Sequence, residues 1–242
     1  MRSLLVVIAH PDDESFFAAG TIAKAVDAGV HVEIVCGTRG ERGTTGGLTS
    51  IEELPQVREA ELREAARVIG VRELHFLPYE DQQLQSAPVE KMRHELVAAI
   101  RRGRPQVVIT FDPNGANRHP DHIAISRFVS DAVPAAADAR WYPETGPAHQ
   151  VERLLWTPPV PAFELAETPE LWNRPGIDFV IDIAGVWQKK QAALSAHRTQ
   201  LAGIRKLFFE RGDVAKTLSI EAFRLGWGKR PEKTPADDLF AG

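Results

Sequence analysis

The chain is poor in cysteine, in long apolar runs and in charge of one sign, and each shortage removes a class of explanation. One residue in 242 is cysteine, Cys36, so an intrachain disulfide and a thiolate-rich zinc cluster are both excluded. Any metal must be held by histidine and carboxylate. The opening apolar stretch, Leu4 to Ala9, is shorter than the ~7–15 residues of a signal-peptide core, and no run approaches the ~18 residues of a membrane span. A cytoplasmic protein without membrane contact is the expectation. The 29 basic and 33 acidic residues leave a formal charge of −4 and a pI near 6.1, with the basic residues scattered among acids. Nucleic acid is therefore not an expected partner, because phosphate binding needs a basic patch.

What is there suits a globular enzyme: 43% hydrophobic and 26% charged residues, and a length that at ~150 residues per domain favours one large α/β domain. Leu4 to Ala9, Val32 to Cys36, Glu73 to Leu77 and Val107 to Phe111 read as strands. They alternate with helical periodicity over Glu14 to Ala28, Ile51 to Ile69 and Val89 to Ile100, with another helix after His119-Pro120-Asp121-His122 that runs to about Ala132. This is the pattern of βαβ units, and it predicts a single-domain, Rossmann-like three-layer sandwich with a mainly parallel sheet. Prolines crowd Trp141 to Gly176, apart from a strand candidate at Val151 to Trp156. We read that stretch as a Pro-rich C-terminal elaboration, followed by a last strand (Phe179 to Ile183) and a last long helix (Ala184 to Leu201). The expected organisation is a core over 1–135, the elaboration and last elements over 136–228, and a mobile tail over 229–242.

Ligands of open α/β sheets bind at the carboxyl ends of the strands. Two motifs fall there: His10-Pro11-Asp12-Asp13 after the first strand, and Asp112-Pro113-Asn114 with His119-Pro120-Asp121-His122 after the fourth. As local structure they would be helix caps and proline turns. Together they bring imidazoles and carboxylates to equivalent strand ends of one sheet, which points to a divalent metal. Imidazole with carboxylate suits Zn²⁺, and a catalytic zinc takes three protein ligands and leaves one position open. His10, Asp13 and one of His119 or His122 would fill the set. Zinc so held lowers the pKa of its bound water toward ~7 and polarises a carbonyl, so hydrolysis is the simplest reaction class. Asp12, next to Asp13, is free to take the proton.

At these residues the chain resembles the PIG-L/LmbE-type de-N-acetylases, zinc hydrolases acting on N-acetylglucosamine-containing compounds. The likeness runs from His10-Pro11-Asp12-Asp13-Glu14 and Gly20-Thr21 through Thr38-Arg39-Gly40-Glu41 and a second helix with Arg58, Glu61, Ala65 and Gly70 to His119-Pro120-Asp121-His122. It continues more patchily to Lys190, Ala193, Leu194, His197 and Gln200. The resemblance implies a hydrolase that removes an N-acetyl group from a small N-acetylated amino sugar conjugate by attack of a zinc-bound water. It implies His10, Asp13 and His122 as metal ligands and Asp12 as general base. His119, as imidazolium, would stabilise the oxyanion or protonate the amine, and Asp121 would orient it. Arg58 would reach the acetyl or sugar region and Asp81 a sugar hydroxyl. Iron(II) is the alternative metal, and a homo-oligomer is the general expectation for such a protein.

The chain departs at Asn117 from some bacterial relatives in thiol-cofactor biosynthesis, which carry a tyrosine there, and around Phe16-Phe17-Ala18 from relatives that commonly have glycine. Substrate choice is what these departures bear on. Competing readings are an amidase for a larger sugar-containing conjugate, a metal-dependent phosphoester hydrolase, and a metal-free nucleotide- or sugar-binding protein of the same fold. The glycine-rich segment from Thr38 to Gly47 lacks any phosphate-loop pattern and reads as a mobile rim. Trp141 and Trp172 are candidates for stacking on a sugar face; His31, His75, His94 and His149 read as structural.

Overall fold

The apolar run after Arg2 forms the central strand β1 (Ser3–Ile8), buried at every position, as expected of a strand covered by helices on both faces. In the computed structural model, which describes residues 2–241, two short helices follow, α1 (Asp13–Phe17) and α2 (Ala19–Asp27). Then come β2 (His31–Cys36), α3 (Leu54–Val68), β3 (Glu73–Phe76), α4 (Val89–Gly103) and β4 (Val107–Thr110). Next are α5 (Gly115–Arg118), α6 (Pro120–Ala137), β5 (Arg153–Trp156), α7 (Ala162–Glu167), β6 (Phe179–Asp182) and α8 (Trp187–Ala196). A short α9 (Leu201–Ile204), a π-helical turn over Arg205–Phe209, α10 (Val214–Thr217) and β7 (Ile220–Gly228) complete the order.

The strands make one seven-stranded sheet in the order β3-β2-β1-β4-β5-β7-β6. The first five strands pair in parallel, and β7 runs antiparallel to both β5 and β6. Side chains on β1 alternate between the two layers, as the period-two pleat requires. Leu4, Val6 and Ile8 pack with Ile22 of α2, Leu62 of α3 and Ile69 just after it on one face. Leu5 and Val7 pack with Met92, Leu96, Ile125 and Val129 of α4 and α6 on the other. The three-layer α/β architecture expected from the sequence is thus present. No helix among the described residues is long and apolar enough to cross a membrane.

The structure differs from the sequence reading in three places. The helix expected from Glu14 to Ala28 is broken at Ala18, and the break is held by a buried ion pair reaching in from the C-terminal elements. Glu221 of β7 accepts hydrogen bonds from Gly20 N (3.0 Å) and Thr21 N (2.7 Å) at the start of α2. Lys190 of α8 donates to Phe16 O (3.2 Å) at the end of α1 and to Glu221 (2.6 Å). Both freed helix ends are therefore satisfied by side chains, which is what a helix end buried away from water needs. Secondly, β7 has no counterpart in the sequence reading, and the last long helix ends at Ala196. Thirdly, the tail read as mobile lies against the sheet. Ala236 and Leu239 are buried, Val180 N donates to Ala236 O (2.8 Å), and the Arg153 guanidinium donates to Leu239 O (2.9 Å) and Ala241 O.

Candidate active site

Strand order reverses about β1, with β2 on one side and β4 on the other, so a crevice opens beyond their carboxyl ends. His10 and Asp13 enter it from the β1 side. Asp13, the first residue of α1, accepts from Ala9 N (3.1 Å) and His10 N (2.8 Å) through one oxygen. Those two bonds fix its carboxylate beside the His10 ring. Asp12 sits at φ 117°, a region that favours glycine, and such strained backbone persists where surrounding contacts enforce it. Its carboxylate goes to Arg58 (3.2 Å) and not to the histidines.

His119 and His122 enter from the β4 side. Asp112 accepts from Asn114 N (3.1 Å) and Ala116 N (2.6 Å), which closes a turn after β4. Gly115 in that turn has φ +68°, and a Cβ there would lie 2.9 Å from the His122 Cβ. Only glycine lets the turn come this close, and its carbonyl then sits 3.2 Å from His122 Nδ1. Phe111 stacks on the His122 ring, with centroids 3.9 Å apart and planes 8° from parallel. His119 caps α6, its Nδ1 accepting from Asp121 N (3.2 Å). That bond assigns the ring proton to Nε2, so His119 is a neutral N–H donor bordering the cavity.

His122 Nε2 lies 3.3 Å from His10 Nδ1 and 3.3 Å from one Asp13 oxygen, and His10 Nδ1 lies 3.7 Å from the other. Tetrahedral ligands with bonds of ~2.0–2.1 Å stand about 3.3–3.4 Å apart. The two distances from His122 match that spacing and the one from His10 to Asp13 is wider, which makes the three residues candidate ligands of a divalent site. The ring nitrogens of His10, His119 and His122 fall within 4.8 Å of one another, a looser grouping that sets His119 beside the ligand triangle.

Behind His10 the geometry corrects one expectation. Its Nε2 lies 3.1 Å from Asp121 and 3.1 Å from Asp81, the carboxylate–histidine arrangement that orients a metal-ligating imidazole. Asp121 therefore orients His10, not His119, and also takes Gln82 N (2.5 Å) and Leu84 N (3.1 Å). Asp81 is buried against His10 and Arg42 N (3.1 Å) and also borders the cavity. Burial opposes charging His10, but Asp121, Asp81 and Asp13 outweigh it and raise its pKa to about 10. Burial likewise opposes a charged Asp13, yet His122 and His10 hold its carboxyl well below the usual range. Three carboxylates around one buried imidazole demand a positive charge, which a proton or a divalent cation supplies equally.

Arg58 is buried and gives its guanidinium to Gly40 O (2.8 Å), Pro11 O and Asp12. It borders the cavity mainly as the support of Asp12, not as an arm reaching outward. Burial raises the Asp12 pKa to about 6, with Arg58 opposing and Asp13 reinforcing the shift. Burial and the neighbouring His10 and His122 lower that of His119.

Sequence reasoning gave Glu14 no role. It is fully buried, accepts from Ser15 Oγ (2.5 Å) and Asp12 N (3.2 Å), and contacts His197 Nε2 (2.8 Å). It is thereby one of the groups that enforce the strained Asp12 backbone. The resemblance had singled out Lys190 and His197, but nothing local in sequence names Glu221 and Glu14 as their partners. The Thr38–Gly47 segment is tied down through Arg58 and through Asp81 N, which donates to Glu41 (3.0 Å). Trp141 lies under Arg93 and Trp172 donates to Leu165 O, and neither borders the cavity. His31, His75, His94 and His149 lie outside the cluster, each beside a carboxylate or carbonyl.

The sequence matches the PIG-L family, described as GlcNAc-PI de-N-acetylase, over residues 5–133. It is 32% identical, across 99% of each chain, to 1D-myo-inositol 2-acetamido-2-deoxy-alpha-D-glucopyranoside deacetylase of Thermobifida fusca. It is also 32% identical to mycothiol S-conjugate amidase of Streptomyces coelicolor, covering 99% of this chain and 96% of that one. The fold is similar to that of a conserved protein from Thermus thermophilus, with a TM-score of 0.71, 31% identity, and 95% and 96% of the two chains covered.

Proposed function

The chain belongs to the PIG-L family of de-N-acetylases, and on that premise we propose that it is a metal-dependent hydrolase removing the N-acetyl group from a small N-acetylglucosamine-containing conjugate. The observation that carries this reading is the grouping of His10, Asp13 and His122: His122 Nε2 lies 3.3 Å from His10 Nδ1 and 3.3 Å from one Asp13 oxygen, the ligand spacing of a tetrahedral site, and His10 Nδ1 lies 3.7 Å from the other Asp13 oxygen. Two imidazoles and a carboxylate suit zinc first, with iron(II) the alternative. When bound there, the cation polarises the amide carbonyl and brings a water's pKa toward ~7.

The chain's own residues then divide the remaining work. Asp12, held by Arg58 and standing apart from the ligand triangle, takes the proton of the attacking water and returns it to the departing amine. His119 presents a neutral Nε2–H to the cavity and donates to the oxygen that gains negative charge as the carbonyl carbon becomes tetrahedral. This replaces the imidazolium expected from the resemblance, since Nδ1 is already occupied as an acceptor. Asp121 and Asp81 fix the His10 ring so that Nδ1 faces Asp13 and His122. Arg58 positions Asp12 and leaves selection of the sugar to other groups. We place the protein in the cytoplasm, in keeping with its unpaired cysteine, Cys36.

Acetate release from N-acetylglucosamine conjugates, with metal content measured on the same preparations, tests this reading. About one equivalent of metal per chain is expected, lost in His10→Ala. Asp12→Asn should retain the metal and lose about 10²–10⁴-fold in kcat. Full activity in that variant would remove Asp12 from its assigned role. Absence of metal after incubation with zinc would return weight to a metal-free binding protein.

A further inference from the structure

The cavity at the sheet's carboxyl edge measures about 560 Å³, and the charged cluster borders only part of it. Arg42, Gln82, Asn117 and Gln200 line it with polar groups suited to hydroxyls. Another part is an apolar wall made by Phe16 of α1, Val160, Phe163 of α7, and Leu207 and Phe208 of the π-helical turn. The wall is already assembled. Phe16 meets Phe208 edge to face with centroids 5.3 Å apart, Phe163 meets Phe208 at 6.3 Å, and the Arg211 guanidinium lies 3.8 Å over the Phe163 ring.

Leu207 is 40% exposed, and of the large apolar side chains left exposed it alone borders this cavity among the described residues. An apolar surface kept in water inside a preformed pocket is the usual mark of a binding surface. Volume points the same way. Allowing each heavy atom as much as the ~30 Å³ share of a liquid water, an N-acetylhexosamine of about fifteen heavy atoms takes at most about 450 Å³. The sugar by itself leaves part of the cavity empty.

From these features, and resting on the deacetylase reading above, we infer that the substrate is an amphipathic amide: an acylated amino sugar carrying an aromatic or alkyl group that lies on the Phe16–Phe163–Leu207–Phe208 wall. The apolar group can belong to the amine side, as the aglycone of a glycoside, or to the acyl side, as a chain longer than acetyl. Either places the same chemistry on the wall. Phe16, in a stretch where the sequence departs from glycine-containing relatives, joins α1 to this surface through Phe208.

The test compares three substrates on metal-loaded protein by amine release: N-acetylglucosamine, its benzyl glycoside, and N-hexanoylglucosamine. One apolar substrate is expected to exceed N-acetylglucosamine in kcat/KM by at least about tenfold, as hydrophobic pockets discriminate added methylenes to that degree. A gain with the benzyl glycoside puts the group on the amine side, and a gain with the hexanoyl amide puts it on the acyl side. In Leu207→Ser the ratio of the favoured substrate to N-acetylglucosamine should fall severalfold, and in Phe208→Ala further. Leu207 is exposed, so its variant reports even if Phe208→Ala fails to fold. Turnover of all three with ratios near one overturns the inference and leaves the deacetylase reading standing. A preference that both variants retain also overturns it. Turnover of none overturns both.

Discussion

Lys190→Met removes one half of the buried pair that joins α1 and α2 to the C-terminal elements, and its cost can be worked out from the structure. Both partners are essentially inaccessible, with 1% and 0% of their side chains exposed, and their charged atoms are 2.6 Å apart. Methionine keeps most of the apolar stem and discards the ammonium. Glu221 is left with the two backbone donors Gly20 N and Thr21 N, and a buried charge deprived of its partner costs about 3–5 kcal/mol. The lost bond to Phe16 O adds about 1 kcal/mol. Lys190→Met should therefore lose about 4–6 kcal/mol at pH 7 relative to the unchanged chain. Urea denaturation of both proteins, stripped of metal, measures this directly. A loss under about 1 kcal/mol would refute the view that a buried charge pair fastens the α1–α2 joint.

Asp121→Asn keeps a side chain near Gln82 N and Leu84 N but takes the carboxylate from His10 Nε2, so metal affinity should fall by about 10–100-fold. Competition against a chelator of known affinity reads this, and an unchanged affinity would detach Asp121 from the metal site. His197 is charged more readily folded than unfolded: burial opposes the charge, but Glu14, Asp12 and Glu61 outweigh it and raise its pKa. Its contribution to stability is then fully present below the ordinary value of ~6.5 and is lost as pH rises through the higher folded value. The Tm gap between the wild-type chain and His197→Gln should be widest below about pH 6.5 and narrow as the pH is raised above it. A gap independent of pH would show that the contact with Glu14 is not charge-assisted.

The elements legible in the sequence are those whose signal is local. β1, β2 and β4 are short apolar runs, α3 and α4 carry helical periodicity, and the two histidine motifs fall where strands end. The illegible parts depend on pairs distant in sequence. Ala18 is one alanine among several in a helical pattern, and the helix breaks there because Lys190 and Glu221 satisfy the ends the break creates. β7 contains Gly226 and Gly228, which weaken its reading as a strand, and it forms because β5 and β6 each offer an edge. Within the site, the motif placed Asp121 beside His119 in sequence. Chain proximity puts only its backbone N–H on His119, while the carboxylate crosses to His10, 111 residues earlier.

The site draws on two stretches of chain that do different things. The ligand triangle, Asp12, Arg58, His119 and the carboxylates behind His10 all fall within residues 5–133, the span that matches the family. Much of the remaining wall, from Thr157 to Phe163 with Gln200, Leu207, Phe208 and Ala222, comes later. Mutations in the later stretch can therefore reshape what the pocket accepts while leaving the proton-transfer machinery untouched. A lineage built this way can acquire new substrates by drift in one half of a gene, as long as the contacts that join the halves, Phe16 with Phe208, Lys190 with Phe16 O and His197 with Glu14, stay in step.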